Sequence, residues 1–224
     1  MTAYPQSAAE CAEVFRMFPE WTRDEIADLS DEQLGRTGPE KWAEWSPLRQ
    51  LSHVSYITTR LYMVLFGASA LSWRPVDMSQ FGTFINSPED DRRFSASRYG
   101  DPEWLLERLG EACVAAAERL DGEAGSPEDG EVLLFVFGRA ADIGATDEKT
   151  LALWGRNVEC HPDGATFDAA RGEIRLALLA TLRHLIWDNL IHLRSIRMHR
   201  KAMGLAPAHP ETPAGGYAPA YPVR

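Results

Sequence analysis

Three ionisable residues in the last third of the chain, His184, Asp188 and His192, follow one another at steps of four. On a helix each residue turns about 100°, so a step of four returns to nearly the same face with a drift of about 40°. With Asp188 set at zero, His184 lies to one side and His192 to the other. Leu178, Thr181, Leu185 and Ile196 share that half of the wheel, and Arg183, Arg194 and Arg197 fall on the opposite half. The polar trio is therefore expected to face inward. Imidazoles and a carboxylate on a core face are costly unless something pairs with them, and a metal ion is one such partner.

Axial distance limits which of the three share an ion. His184 and His192 are eight residues apart, about 12 Å along the axis, whereas first-shell bonds are about 2 Å. Residues four apart can share, so the candidate pairs are Asp188 with His192 and His184 with Asp188. A third ligand must come from another helix. His53 is the natural candidate, being the only histidine before position 161. Two imidazoles and one carboxylate with open positions suit zinc or nickel, and also iron or manganese. His184 is then a supporting donor that orients Asp188. The plain alternative is a set of hydrogen-bonded core residues, with Asp188 and His192 an ordinary pair one turn apart.

The elements that must position these residues can be read in order. Ser7-Ala-Ala-Glu10 is a capping box opening a first helical stretch, with Pro19 expected to interrupt it. Ser30-Asp-Glu-Gln33 is a second capping box, starting a short turn. Ser46-Pro47 predicts a helix through His53 to Gly67, with Ser as N-cap and Pro at the first helical position. Residues 68–100 lack periodicity but carry Trp73, Phe81, Phe84, Phe94 and Tyr99, which predicts a long packed connection covering a site. Asp101-Pro102 starts another helix, ending near Gly122. Residues 132–137 fit a strand or a buried helical turn, and periodicity does not choose. Thr146 caps a short helix through Trp154, and Cys160-His161-Pro162-Asp163-Gly164 reads as a turn. Thr166 is expected to cap the last long helix, which ends at Gly204. His199 and His209 are expected to be inert. The fold class predicted is all-α: four main helices in one domain over residues 7–204, followed by a flexible Pro-, Gly- and Ala-rich tail at 205–224.

A chain of 224 residues with 45% hydrophobic content can bury a sizeable core in one domain. A net charge of −10 argues against nucleic acid and anionic membrane as partners. No apolar run is long enough to span a bilayer, and the N-terminal residues have no secretory pattern. Cys11, Cys113 and Cys160 are far apart and form no C-x-x-C pair. A reduced, cytoplasmic protein is the expectation.

Trp45-Ser-Pro-Leu-Arg-Gln-Leu51-Ser-His53 resembles the W-S-x-x-x-x-L-x-H segment of the DinB-like superfamily. Asp188-Asn-Leu-Ile-His192, twelve residues before Gly204, is similar to the H-x-x-x-H segment of that family's final helix. Phe18-Pro19 and Leu29-Ser30-Asp31 look like its opening helix and turn. The resemblance covers most of positions 10–66 and 166–204 and leaves 68–165 unmatched. It implies a four-helix bundle holding one divalent metal near one end, on His53, Asp188 and His192 here. The sequence departs from the pattern where Asp188 replaces the first histidine, and where Arg194-Ser195 replaces Gly-Gln after the last one. The activity implied is metal-dependent: transfer of a low-molecular-weight thiol to a small electrophilic substrate, or hydrolysis. The alternative is a non-catalytic helical module with a degenerate metal site, forming a homodimer through a seam of Leu179, Ile186, Leu190 and Leu193.

Overall fold

The computed structural model describes residues 5, 7–66, 93–94, 96–122, 131–136, 164–168 and 173–209. Within these the chain is mostly helical. Ser7 opens α1 (Ala8–Ile26) by accepting from the Glu10 amide at 3.2 Å. Pro19 does not break this helix, contrary to expectation. A proline in a helix interior costs about 3 kcal/mol or more, and the continuous helix buries Phe15, Phe18, Trp21 and Ile26 on one side. Both hydrogen bonds of the Ser30–Gln33 capping box form at α2 (Asp31–Leu34). A 3-10 turn at Lys41–Ala43 follows, then α3 (Pro47–Phe66), with the Ser46 hydroxyl accepting from the Arg49 amide at 3.3 Å. After a short α4 (Ala96–Tyr99), Asp101 caps α5 (Pro102–Gly122) at the Glu103 amide. The long α6 (Leu178–Ala202) completes the helices.

The departure from an all-α chain is a small antiparallel sheet of β1 (Glu131–Val136), β2 (Ala165–Asp168) and β3 (Glu173–Ala177), in the order β1-β3-β2. It settles the open choice over residues 132–136 as a strand. It also moves the start of the last helix from Thr166 to Leu178, because Thr166 lies in β2 paired with Arg175. Residues 173–177, Glu-Ile-Arg-Leu-Ala, alternate polar and apolar with the period of a strand, and this pairing outweighs the capping signal of Thr166. Gly164, at φ +77°, closes the turn before β2, and its carbonyl accepts from the Ala177 amide at 2.7 Å. The expected helix at 146–154, residues 160–163, Trp73, Phe81, Phe84 and the tail beyond residue 209 lie outside the described residues.

The core lies between α1, α3, α5 and α6: α1 and α3 each pack against both α5 and α6. Phe94, the one described aromatic of the 68–94 stretch, is fully buried, with its ring edge-on to Tyr56 and Trp104. α6 is the central element. From Leu182 to Arg200 no residue is exposed. Ile186, Leu190 and Leu193 are buried against the other helices, so the apolar seam expected to join two copies is already used inside one chain. Arg183 and Arg197, expected on the outer face, are also enclosed. Arg183 donates to the Pro5 carbonyl, and Arg197 to the wholly buried Glu25 of α1 at 2.8 Å.

The end of α6 is built as tightly as its middle. Gly204 takes φ +77° and lets the Leu205 amide reach back to the Arg200 carbonyl, and its own amide to Lys201, a Schellman closure. The chain then turns back onto α1. Residues 205–209 are held there, in place of the loose tail expected from Leu205 onward. Glu25 accepts from the amides of Ala208 and His209, both at 3.0 Å, and also pairs with Arg197 and Arg200. His209, expected to be inert, donates to Asp24 at 2.8 Å. Buried carboxylate and guanidinium groups leave this tail little freedom because each needs the other's hydrogen bonds. Glu25→Ala is predicted to destabilise the protein by about 3–5 kcal/mol, because two guanidinium groups lose their buried counter-charge. Urea unfolding checks this, and a loss under about 1 kcal/mol would contradict it.

Candidate metal centre

α3 and α6 cross so that His53, Asp188 and His192 meet. Asn189 and Thr58 fix the register of the crossing. The Asn189 amide donates to the Thr58 hydroxyl at 3.1 Å, and both residues are buried. Asp188, next along α6, is thereby turned toward His53. The His53 Nε2–H donates to Asp188 Oδ2 at 3.2 Å, and His192 Nε2 lies 3.8 Å from the other oxygen, Oδ1. One ligand atom from each of the three residues falls within 4.8 Å of the other two. The two imidazole rings are 4.4 Å apart. The side chains of His53, His192 and Asp188 keep 5%, 15% and 23% of their surface exposed, so the carboxylate forms the accessible rim and His53 the floor.

Desolvation works against the charge on Asp188. The hydrogen bond from His53, with the nearby imidazoles of His192, His53 and His184, outweighs it and holds the carboxyl well below the usual carboxylate range. Asp188 is therefore an anion and purely an acceptor at neutral pH. His184 is buried one turn from Asp188 and stacks on Trp187, ring centres 5.6 Å apart.

Four further residues surround the site. Trp45 stacks on His192 with ring centres 5.5 Å apart and planes 14° from parallel, and it sits 5.1 Å from the His53 ring. Arg49 lays its guanidinium over the indole, 4.8 Å from the ring centre. Gln50 hydrogen-bonds His192 Nδ1 through its side-chain oxygen. His199, expected to be inert, is buried and donates from Nε2 to the Trp45 carbonyl at 2.9 Å; burial lowers its basicity. A signal for both residues was present. Gln50 precedes His53 by three, nearly one turn, and His199 follows His192 by seven, two turns on the same face.

A tetrahedral ion with bonds of about 2 Å separates its ligand atoms by about 3.3 Å. The His53 Nε2–Oδ2 and His192 Nε2–Oδ1 distances, 3.2 and 3.8 Å, end on different oxygens of Asp188, and with one donor atom per residue the three lie within 4.8 Å of one another, somewhat wider than that span. Two imidazoles and a carboxylate are also a common donor set for zinc and its neighbours. The residues fit such an ion. Compared with known proteins, the chain matches no family model, no curated protein and no solved structure.

The depressed Asp188 carboxyl has a consequence for folding. A group held below its unfolded value of about 4 stabilises the fold above that pH and loses this contribution as pH falls through the folded value. In metal-free protein, the stability gap between wild type and Asp188→Asn is predicted to shrink steadily as pH drops below about 4. Urea midpoints across that range test it, and a gap that does not change with pH contradicts it.

Proposed function

We propose that His53, Asp188 and His192 hold one divalent cation, zinc or nickel before iron or manganese. On this reading the chain is a metal-dependent enzyme of the DinB-like type, built on a four-helix bundle. The reaction proposed is transfer of a low-molecular-weight thiol to a small electrophile, or hydrolysis of such a substrate. The observation that carries the reading is the convergence of three ligand atoms from two helices. They sit at the positions where the chain resembles the family's W-S-x-x-x-x-L-x-H and H-x-x-x-H segments.

A bound divalent cation with an open position lowers the pKa of a thiol or water on it and so supplies a nucleophile near neutral pH. The chain's own residues do the rest. Asp188 brings a fixed negative charge where the family pattern has a neutral imidazole, which offsets part of the ion's charge and moderates its acidity. Trp45 walls one side of the imidazole pair and keeps water from it. The partly open Asp188 edge is the side from which a small molecule can approach. Neither described cysteine can serve as the nucleophile. Burial pushes the Cys11 thiol up to about 12 and raises Cys113 as well, so neither supplies a thiolate near neutral pH.

Tag-free protein is predicted to carry about one zinc or nickel per chain after incubation with the metal and desalting. His53→Ala and His192→Ala should lose most of it, while Asp188→His should keep it. Elemental analysis reads the result, and equal metal content in wild type and both alanine variants would overturn the proposal.

A further inference from the structure

We propose that Gln50 is a positioning residue that sets the tautomer of His192, placing the ring's lone pair on Nε2 before any cation arrives. The inference deepens the metal reading above and rests on it for its purpose, but its geometry stands without a metal.

The argument runs from one fixed amide. The Gln50 Nε2 group donates to the Trp45 carbonyl at 3.2 Å and lies 3.5 Å from the Trp42 carbonyl. Carbonyl oxygens only accept, so the NH₂ end of the amide must face them. Turning the amide over would set its oxygen against two other acceptors. The Trp45 carbonyl is itself held from the far side by the His199 Nε2–H. With its NH₂ end committed, Gln50 presents its oxygen to His192 Nδ1. That oxygen also only accepts, so Nδ1 carries the proton. A neutral imidazole has one N–H, and the lone pair is therefore on Nε2, the atom that faces Asp188 Oδ1.

His53 is the opposite case. Its Nε2 faces the Asp188 carboxylate directly and must donate to it. For His53 Nε2 to serve as a ligand, its proton would have to leave, either to solvent or to Nδ1 of the same ring. The site thus has one imidazole already set for coordination and one that rearranges, and the difference lies in Gln50. The chain that sets His192 passes through His199, the Trp45 carbonyl and the Gln50 amide. It links two turns of α6 to the start of α3 through backbone carbonyls.

The test is the ¹⁵N spectrum of the histidine rings in full-length, metal-free protein at about pH 8.5, well above the ordinary imidazole range. Wild type is expected to show His192 protonated on Nδ1 and bare on Nε2. Gln50→Leu, which removes the acceptor but keeps bulk, is expected to move the proton to Nε2, toward Asp188. Its zinc affinity, read by competition with a chelator, should fall about 10–100-fold. Wild type with the His192 proton on Nε2 overturns the proposal, whether or not the leucine variant folds. So does a folded Gln50→Leu protein whose His192 tautomer is unchanged. A tautomer that switches as expected in a protein that takes up no zinc supports the role of Gln50 and overturns the metal reading instead.

Discussion

The constraint on which the structure depends is the enclosure of α6. A helix with no exposed residue from Leu182 to Arg200 still carries four arginines, three histidines, an aspartate and an asparagine over that span that must be met indoors. Each unmet group would cost one to several kcal/mol. The surrounding elements answer this demand one partner at a time. Pro5 offers a carbonyl to Arg183, Thr58 pairs with Asn189, and Glu25 takes Arg197 and Arg200. Trp45 accepts from His199. These polar pairs fix the rotation and the axial position of α6 against α1 and α3 more sharply than apolar contacts alone would, since a slip by one residue breaks all of them together.

The candidate metal site is the part of that pattern in which the partners are themselves possible ligands. Asp188 is met by His53 from α3 and by His192 from its own helix, and the pair is backed by Trp45 and Gln50. An ion pair alone would satisfy the charge. What sets this cluster apart from the Glu25 network is its accessibility and its donors. Glu25 is fully buried and surrounded by groups that only donate, whereas Asp188 stands at a partly open rim beside imidazole nitrogens that can present lone pairs. The first arrangement can only hold the fold together, and the second can exchange its proton for a cation.

Much of the site was legible from spacing alone. The four-residue step joins Asp188 to His192 on one face, the rise of about 12 Å keeps His184 from sharing an ion with His192, and the Ser46-Pro47 cap places His53 on a facing helix. What periodicity missed has physical causes. α6 is enclosed on both sides, so the wheel half bearing arginines looked like a solvent face when its partners were a distant carboxylate and a carbonyl. Capping chemistry at Thr166 was overridden by strand pairing that only exists once β1 and β3 meet. The first tail residues read as loose by composition, yet they are fixed by hydrogen bonds from their backbone amides, which composition does not encode. Gln50 and His199 were in register with the ligands, but their role depends on the Trp45 carbonyl, a backbone atom of a neighbouring turn.

The central claim is that one ion is held by two imidazoles and a carboxylate. X-ray absorption at the zinc edge of the loaded, full-length protein tests it most directly. The account predicts a first shell of nitrogen and oxygen at about 2.0–2.1 Å with the outer-shell scattering of two imidazole rings and no sulfur. A sulfur shell at about 2.3 Å, or a spectrum without imidazole scattering, would contradict it.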